Sequence, residues 1–150
     1  MVRKTICILI CVVVMCSLAS CGFDRDELVT HVQVYKNADP VMKYIDGLED
    51  YENIEYEAVT TTTRFSIGPH EPTYRGVIEL DDDLAGEIWN RYEWEETGPV
   101  VIEFEKIDSS VLNDVTWYYS EEFQKDTIKY LPVDYLYFDG TKAVFSFKST

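Results

Sequence analysis

The chain has 150 residues, with 28 acidic side chains against 13 basic ones and a formal net charge of −15 at pH 7. So large an excess of acid repels phosphate backbones and anionic headgroups, which argues against nucleic-acid binding and favours solubility and cationic partners. The length suits one principal domain with a real core, and its aromatic supply is rich: 3 Trp, 11 Tyr and 7 Phe.

Arg3 and Lys4 precede an apolar run over residues 5–17, and the small residues Ala19 and Ser20 then lead to Cys21. A positive start, a short apolar stretch and a small-residue end make the pattern of a secretory signal peptide. The apolar run is shorter than the roughly 20 residues that a permanent membrane-spanning helix needs. Leu18-Ala19-Ser20-Cys21 resembles the lipobox of bacterial lipoprotein precursors, with Leu three positions before the cysteine and small residues between. The resemblance covers the first 21 residues only. It implies diacylglyceryl transfer to the Cys21 sulfur and cleavage after Ser20. The partner so implied is the lipid bilayer, entered through the Cys21 acyl chains, palmitate among them. Each buried CH₂ contributes about 0.8 kcal/mol, so two chains anchor stably where one is marginal. The expected organisation is a signal peptide over 1–20, a lipidated tether over 21–27 and a single acidic domain over 28–150, outside the cytoplasm. Cys7, Cys11 and Cys16 fall in the removed segment. The lipid consumes Cys21, which leaves no disulfide, thiol nucleophile or cysteine metal site.

Residues 28–35 suit a strand or a helix start equally. Asp39-Pro40 predicts a helix start, with Asp39 as N-cap and Pro40 at the first helical position. The stripe Val41, Met42, Ile45, Leu48 then continues it until Gly47 weakens it. Residues 54–67 read as extended, but the apolar set moves from Ile54, Tyr56 and Ala58 to Val59, Phe65 and Ile67. Such a switch predicts a bulge, a bend or two short strands. Residues 68–72 form a loop by their glycine and two prolines. A strand over 74–80 follows, then a helix opened by Asp81-Asp82-Asp83 and running to about Tyr92. Its stripe is Leu84, Ala85, Ile88, Trp89, Tyr92, with acids in the first turn and Arg91 in the last to suit the helix dipole. Strands are predicted over 100–104 and 115–119, and a short helix over 121–130. The chain ends in a hairpin, 133–138 and 141–147, turned by Asp139-Gly140. The fold class expected is α+β: a mostly antiparallel sheet of about five or six strands, with two or three short helices packed on one face.

Few residues offer chemistry. His70-Glu71 begins like a zinc-protease motif, but the position four after His70 is Tyr74, so the second ligand is missing. Asp81 and Asp83 start like a calcium loop and Gly86 fits its sixth position, yet Ala85 and Tyr92 occupy two ligand positions. They remain weak calcium candidates; no cofactor and no other metal site is expected. No nucleophile elbow or phosphate loop is present. Exposed Trp and Tyr serve exported proteins as flat binding platforms. Trp94, Tyr118 and Tyr74 fall off the apolar stripes and are the platform candidates, with His70 as a further loop contact. Trp89 and Trp117 lie on stripes and are expected in the core. The pattern therefore points to a non-catalytic binding module of the cell envelope, with an envelope protein, peptide or polymer as partner. A glycan- or calcium-binding surface, or a hydrolase using paired carboxylates, is the alternative.

Overall fold

The structure is a computed structural model and describes residues 27–63, 70–112 and 115–149. The lipobox residues Leu18, Ala19, Ser20 and Cys21 lie outside the described residues, as do Phe65 and Ile67. Within them lie seven strands and three helices. The strands are β1 (Leu28–Tyr35), β2 (Tyr51–Thr63), β3 (Thr73–Leu80), β4 (Glu95–Glu96), β5 (Tyr118–Tyr119), β6 (Val133–Phe138) and β7 (Lys142–Lys148). The helices are α1 (Asp39–Met42), α2 (Asp82–Arg91) and α3 (Glu121–Thr127), with a 3₁₀ turn at Ser109–Leu112. All strands join one sheet in the order β1-β2-β3-β7-β6-β5-β4, and every neighbouring pair is antiparallel. The expected antiparallel sheet with helices is therefore present, and at its end stand the very short β5 and, not expected, β4. Among the described residues no helix is long and apolar enough to cross a membrane.

Paired residues share a face, so register sorts the side chains. Ile54, Tyr56, Tyr74, Ile78, Leu136, Phe138, Phe145 and Phe147 lie on one face and form one buried cluster with Val41 of α1, Ala85 and Ile88 of α2, and Phe123 of α3. Full burial of each such side chain contributes about 1.5–3 kcal/mol. On the opposite face lie Glu57, Arg75, Val77, Val144, Tyr135 and Tyr137. A smaller core, built from Ile102, Leu112, Trp117 and Val144, covers part of this second face.

Several elements differ from expectation. The apolar switch at Val59 marks no break: β2 runs on to Thr63 in continuous register with β1, and the irregularity sits at Tyr51/Asn53. Val59 points to the second face, opposite Val32. Residues 100–104 form no strand. They cross the second face with Ile102 inward and Val101 outward, so period-two burial arises there without a ladder. The strand expected over 115–119 shrinks to Tyr118–Tyr119. Helix α1 is one turn long and its N-cap is Ala38, not Asp39, with no side-chain cap; Ile45 and Leu48 reach the core from the segment after it. Helix α3 ends at Thr127, because Ile128 turns extended (φ −119°, ψ 96°), and Tyr130 beyond it adopts φ +63°.

The hairpin shifts by one residue. Phe138 pairs with Ala143, and the Asp139 amide donates to the Lys142 carbonyl at 3.0 Å, so the loop residues are Gly140-Thr141. Gly140 has φ +102° and takes the first loop position, where a type II′ turn requires glycine. The Asp139 carboxylate accepts from the Thr141 and Lys142 amides and fixes the turn.

Candidate functional site: an aromatic surface with an acidic rim

Helix α2 begins as its sequence dictates: Asp81 is the N-cap and its carboxylate accepts from the Leu84 amide at 2.8 Å. Ala85 and Ile88 turn inward onto the sheet. Trp89, one residue beyond Ile88, is 38% exposed and not a core residue. Its ring lies parallel to Trp94, with centroids 5.6 Å apart and planes at 12°, and meets Tyr118 edge-on at 5.0 Å. The Trp94 indole N–H donates to the Trp89 carbonyl at 3.1 Å, which ties the loop after α2 back onto the helix. Phe138 and Phe123 support Trp94 from beneath. Ring pairs of this kind add about 0.5–1.5 kcal/mol each beyond area burial, so the assembly is held in one geometry. Two residues proposed as a platform from the sequence, Trp94 and Tyr118, thus come together, joined by Trp89.

The other two candidates lie elsewhere. Tyr74 is 8% exposed and packs with Tyr44, Tyr56 and Phe147 in the main core, with β7 and β6 between its strand and β5. Burial raises its hydroxyl pKa, the mark of a core phenol rather than a surface platform. His70 precedes β3, away from the tryptophans in the sheet order. Trp117 is 3% exposed and fills the second core, as its stripe predicts.

Two depressions flank the aromatic surface. A cleft of about 350 Å³ between α2 and α3 has Leu84, Ile88 and Phe123 on its floor and charged side chains, Arg91 and Lys129 among them, at its mouth. Lys129 is paired with Asp46 at 2.9 Å. The Tyr92 hydroxyl donates to Asp126 at 3.1 Å, and Asp126 borders both this cleft and a second one. That second hollow, about 580 Å³ and open to solvent, is lined by Trp94 and Tyr119 and rimmed by Glu93, Glu95, Glu121, Glu122 and Asp126. Its one base, Lys125, is engaged by Glu121 at 2.5 Å.

Asp81 and Asp83 border a further acidic depression with Asp50, Glu52, Asp82 and Glu87. Asp81 is committed to the helix cap, and among the described residues no three metal-ligating side chains converge.

A paired-carboxylate hydrolase needs two carboxyl groups facing each other. Among the described residues the one buried carboxylate is Glu57, at 0% exposure. Its oxygens accept from the backbone amides of Glu105, Lys106 and Ile107 and from Arg75 Nε at 3.0 Å. Burial pushes this carboxyl up, but the three amides and the guanidinium outweigh burial and hold it below the ordinary range. Every lone pair thus has a donor, and the group is an anchor for the segment crossing the second face. Arg75 also reaches Glu105 at 3.2 Å, and Lys106 Nζ donates to the Val32 carbonyl at 2.6 Å. Sequence reasoning missed this site because Glu55 and Glu57 look alike beside the same strand. The donors come from residues 48 to 50 positions away.

Comparison with family models, with curated proteins and with solved structures finds no match in any of the three.

Proposed function

We propose that the chain is a lipid-anchored extracytoplasmic binding module: an acidic α+β domain held to the membrane through Cys21 that captures an envelope component on its Trp89–Trp94–Tyr118 face. The observation that carries the binding part is the stack of partly exposed aromatic rings. Large aromatics set on a supported surface are the usual anchors of recognition, because they bring contact area at little entropic cost. The lipobox supports the location, since charge, length and spacing agree there. That the buried carboxylate is fully engaged by structural donors favours binding over hydrolysis.

The test is crosslinking in intact bacterial cells that express tagged chain, wild type beside Cys21→Ser. The wild type fractionates with membranes and the variant does not, and a specific crosslinked component is recovered only from the tethered form. Identical fractionation of the two forms refutes the anchor. Crosslinks that survive simultaneous replacement of Trp89 and Tyr118 refute the aromatic face as the binding surface.

A further inference from the structure

Strand register fixes which end of the sheet lies next to Cys21. Val32 pairs with Val59, Val59 with Thr73 and Thr73 with Lys148, whose amide donates to the Pro132 carbonyl at 3.0 Å. The starts of β1 and β3, the end of β7 and the turn into β6 therefore share one end. Cys21 and Glu27 are six peptide steps apart, which span at most about 22 Å in any conformation. Leu28 pairs with Thr63, and β2 begins at Tyr51, so the far end of the sheet lies about 40 Å of strand away. So short a tether cannot set the far end on a bilayer that holds Cys21.

The tether end also has the surface that a bilayer accepts. Tyr130 is 99% exposed and Leu28 67%. Tyr130 holds φ +63°, which is unfavourable for a bulky residue, and at that exposure no packing within the domain offsets it. Beside it opens a hollow of about 450 Å³, lined by Ile128, Leu131 and Val133 together with Lys125 and Lys129. Aromatic rings at headgroup depth, with lysine stems on apolar surface and their ammonium groups in the polar layer, are how proteins meet lipid. Charge sorts along the same axis. Lys129 and Lys148 stand at this end beside Glu27, Asp46 and Glu71, close to balance. The depression at the far end is lined by six carboxylates, from Asp50 to Glu87, and no base, so anionic headgroups repel it.

We propose that this end of the sheet is a bilayer-contact surface, with Leu28 and the turn at Tyr130 and Leu131 at headgroup depth and Lys129 and Lys148 toward the lipid phosphates. This rests on the lipid-anchor reading and adds the domain's orientation. Tyr118 shares a row with Phe138, Ala143, Ile78 and Ile54, and Ile54 precedes Thr63 by nine residues. The Trp89–Trp94–Tyr118 face is then held about 30 Å above the start of β1, clear of the lipid and open to a partner.

The experiment uses the lipidated protein, purified from membranes of expressing bacteria and reconstituted into vesicles of phosphatidylcholine and phosphatidylglycerol. Tyr130→Cys at the tether end and Glu87→Cys at the far acidic depression each offer a single thiol to an environment-sensitive dye, because the lipid occupies Cys21. Both positions are exposed, so folding is preserved, and thermal midpoints verify it. With nitroxide-bearing lipid in the vesicles, the dye at 130 loses at least about half of its emission, as expected at headgroup depth. The dye at 87 loses less than about a tenth, because it stands in water beyond collision distance. Vesicle-bound protein with equal quenching at both positions, or with none at either, overturns the contact and leaves the anchor standing. A shift to shorter wavelength at 130 without quenching by lipid means that a second copy covers the turn, and overturns it too. Protein that does not float with the vesicles refutes the anchor, and the contact falls with it.

Discussion

Replacing Glu57 by Gln tests how the second face is held. The carboxylate accepts from three consecutive backbone amides and from the Arg75 side chain, at full burial. Oε1 faces the Lys106 and Ile107 amides, and Oε2 faces the Glu105 amide and Arg75. Glutamine retains one acceptor and turns the other into a donor. In either orientation one set of donors meets an NH₂ group, and Arg75 loses its buried counter-ion. Charge-assisted bonds contribute about 1.5–3 kcal/mol each, and breaking a buried ion pair from one side costs about 3–5 kcal/mol. Because these losses overlap, the expected destabilisation is about 3–4 kcal/mol at pH 7, a large share of a typical domain's stability of about 5–15 kcal/mol.

The assay is equilibrium urea unfolding at pH 7 and again in acid. The folded Glu57 carboxyl titrates below its ordinary value of 4.5. Its contribution is therefore fully present above that unfolded value and is lost as pH falls through the lower folded one. The gap between wild type and variant should close across that interval, since the wild-type group is then neutral as well. Glu105→Gln, whose side chain is 49% exposed, should cost less than about 1 kcal/mol. A pH 7 loss below about 1 kcal/mol for Glu57→Gln, or a gap that persists unchanged in strong acid, would refute the anchoring argument.

Three further expectations follow from packing. A Cβ on Gly76 would stand 2.3 Å from Tyr56 Cβ and 2.5 Å from the Glu55 carbonyl oxygen, so Gly76→Ala forces strand β2 away and lowers stability by about 1–3 kcal/mol or more in urea titration. Trp117→Ala empties the second core and costs about 3–5 kcal/mol, whereas Trp89→Ala, on the exposed side of α2, costs much less; comparable thermal shifts for the two would contradict the burial described. Asp81→Ala removes the α2 cap and costs about 1 kcal/mol, with loss of amide-exchange protection confined to the first turn of that helix.

Much of the element pattern is legible locally. Asp81 before Leu84, Ala85 and Ile88 announces α2, because capping and periodicity act within a few residues. The glycine beside Asp139 likewise announces the hairpin, though which two residues form the loop is decided by the pairing of Phe138 with Ala143. Residues 100–104 carry a strand's alternation and yet form no ladder with any strand among the described residues, because alternation reports only that one side of the segment is covered.

The candidate surface is less legible. Trp94 and Tyr118 stand out as aromatics off the apolar stripes, but Trp89 sits on one. In the fold it lies against Trp94 and Tyr118 and keeps 38% of its surface exposed. Tyr74 is the reverse case: it shares its parity with Ile78 and Leu80, so the alternation of β3 itself turns it to the core face, where Tyr44 and Phe147 pack against it. The acidic charge, the lipobox resemblance and the elements signalled by capping, turn chemistry and period are all readable from residues close together in the chain. Which carboxylate is buried and which tryptophan meets solvent depends on contacts between distant segments. Burial is a property of what packs from elsewhere: Glu57 and Glu55 share one strand, but residues 105–107 and Arg75 engage Glu57, while Glu55 meets Lys36 and stays partly exposed.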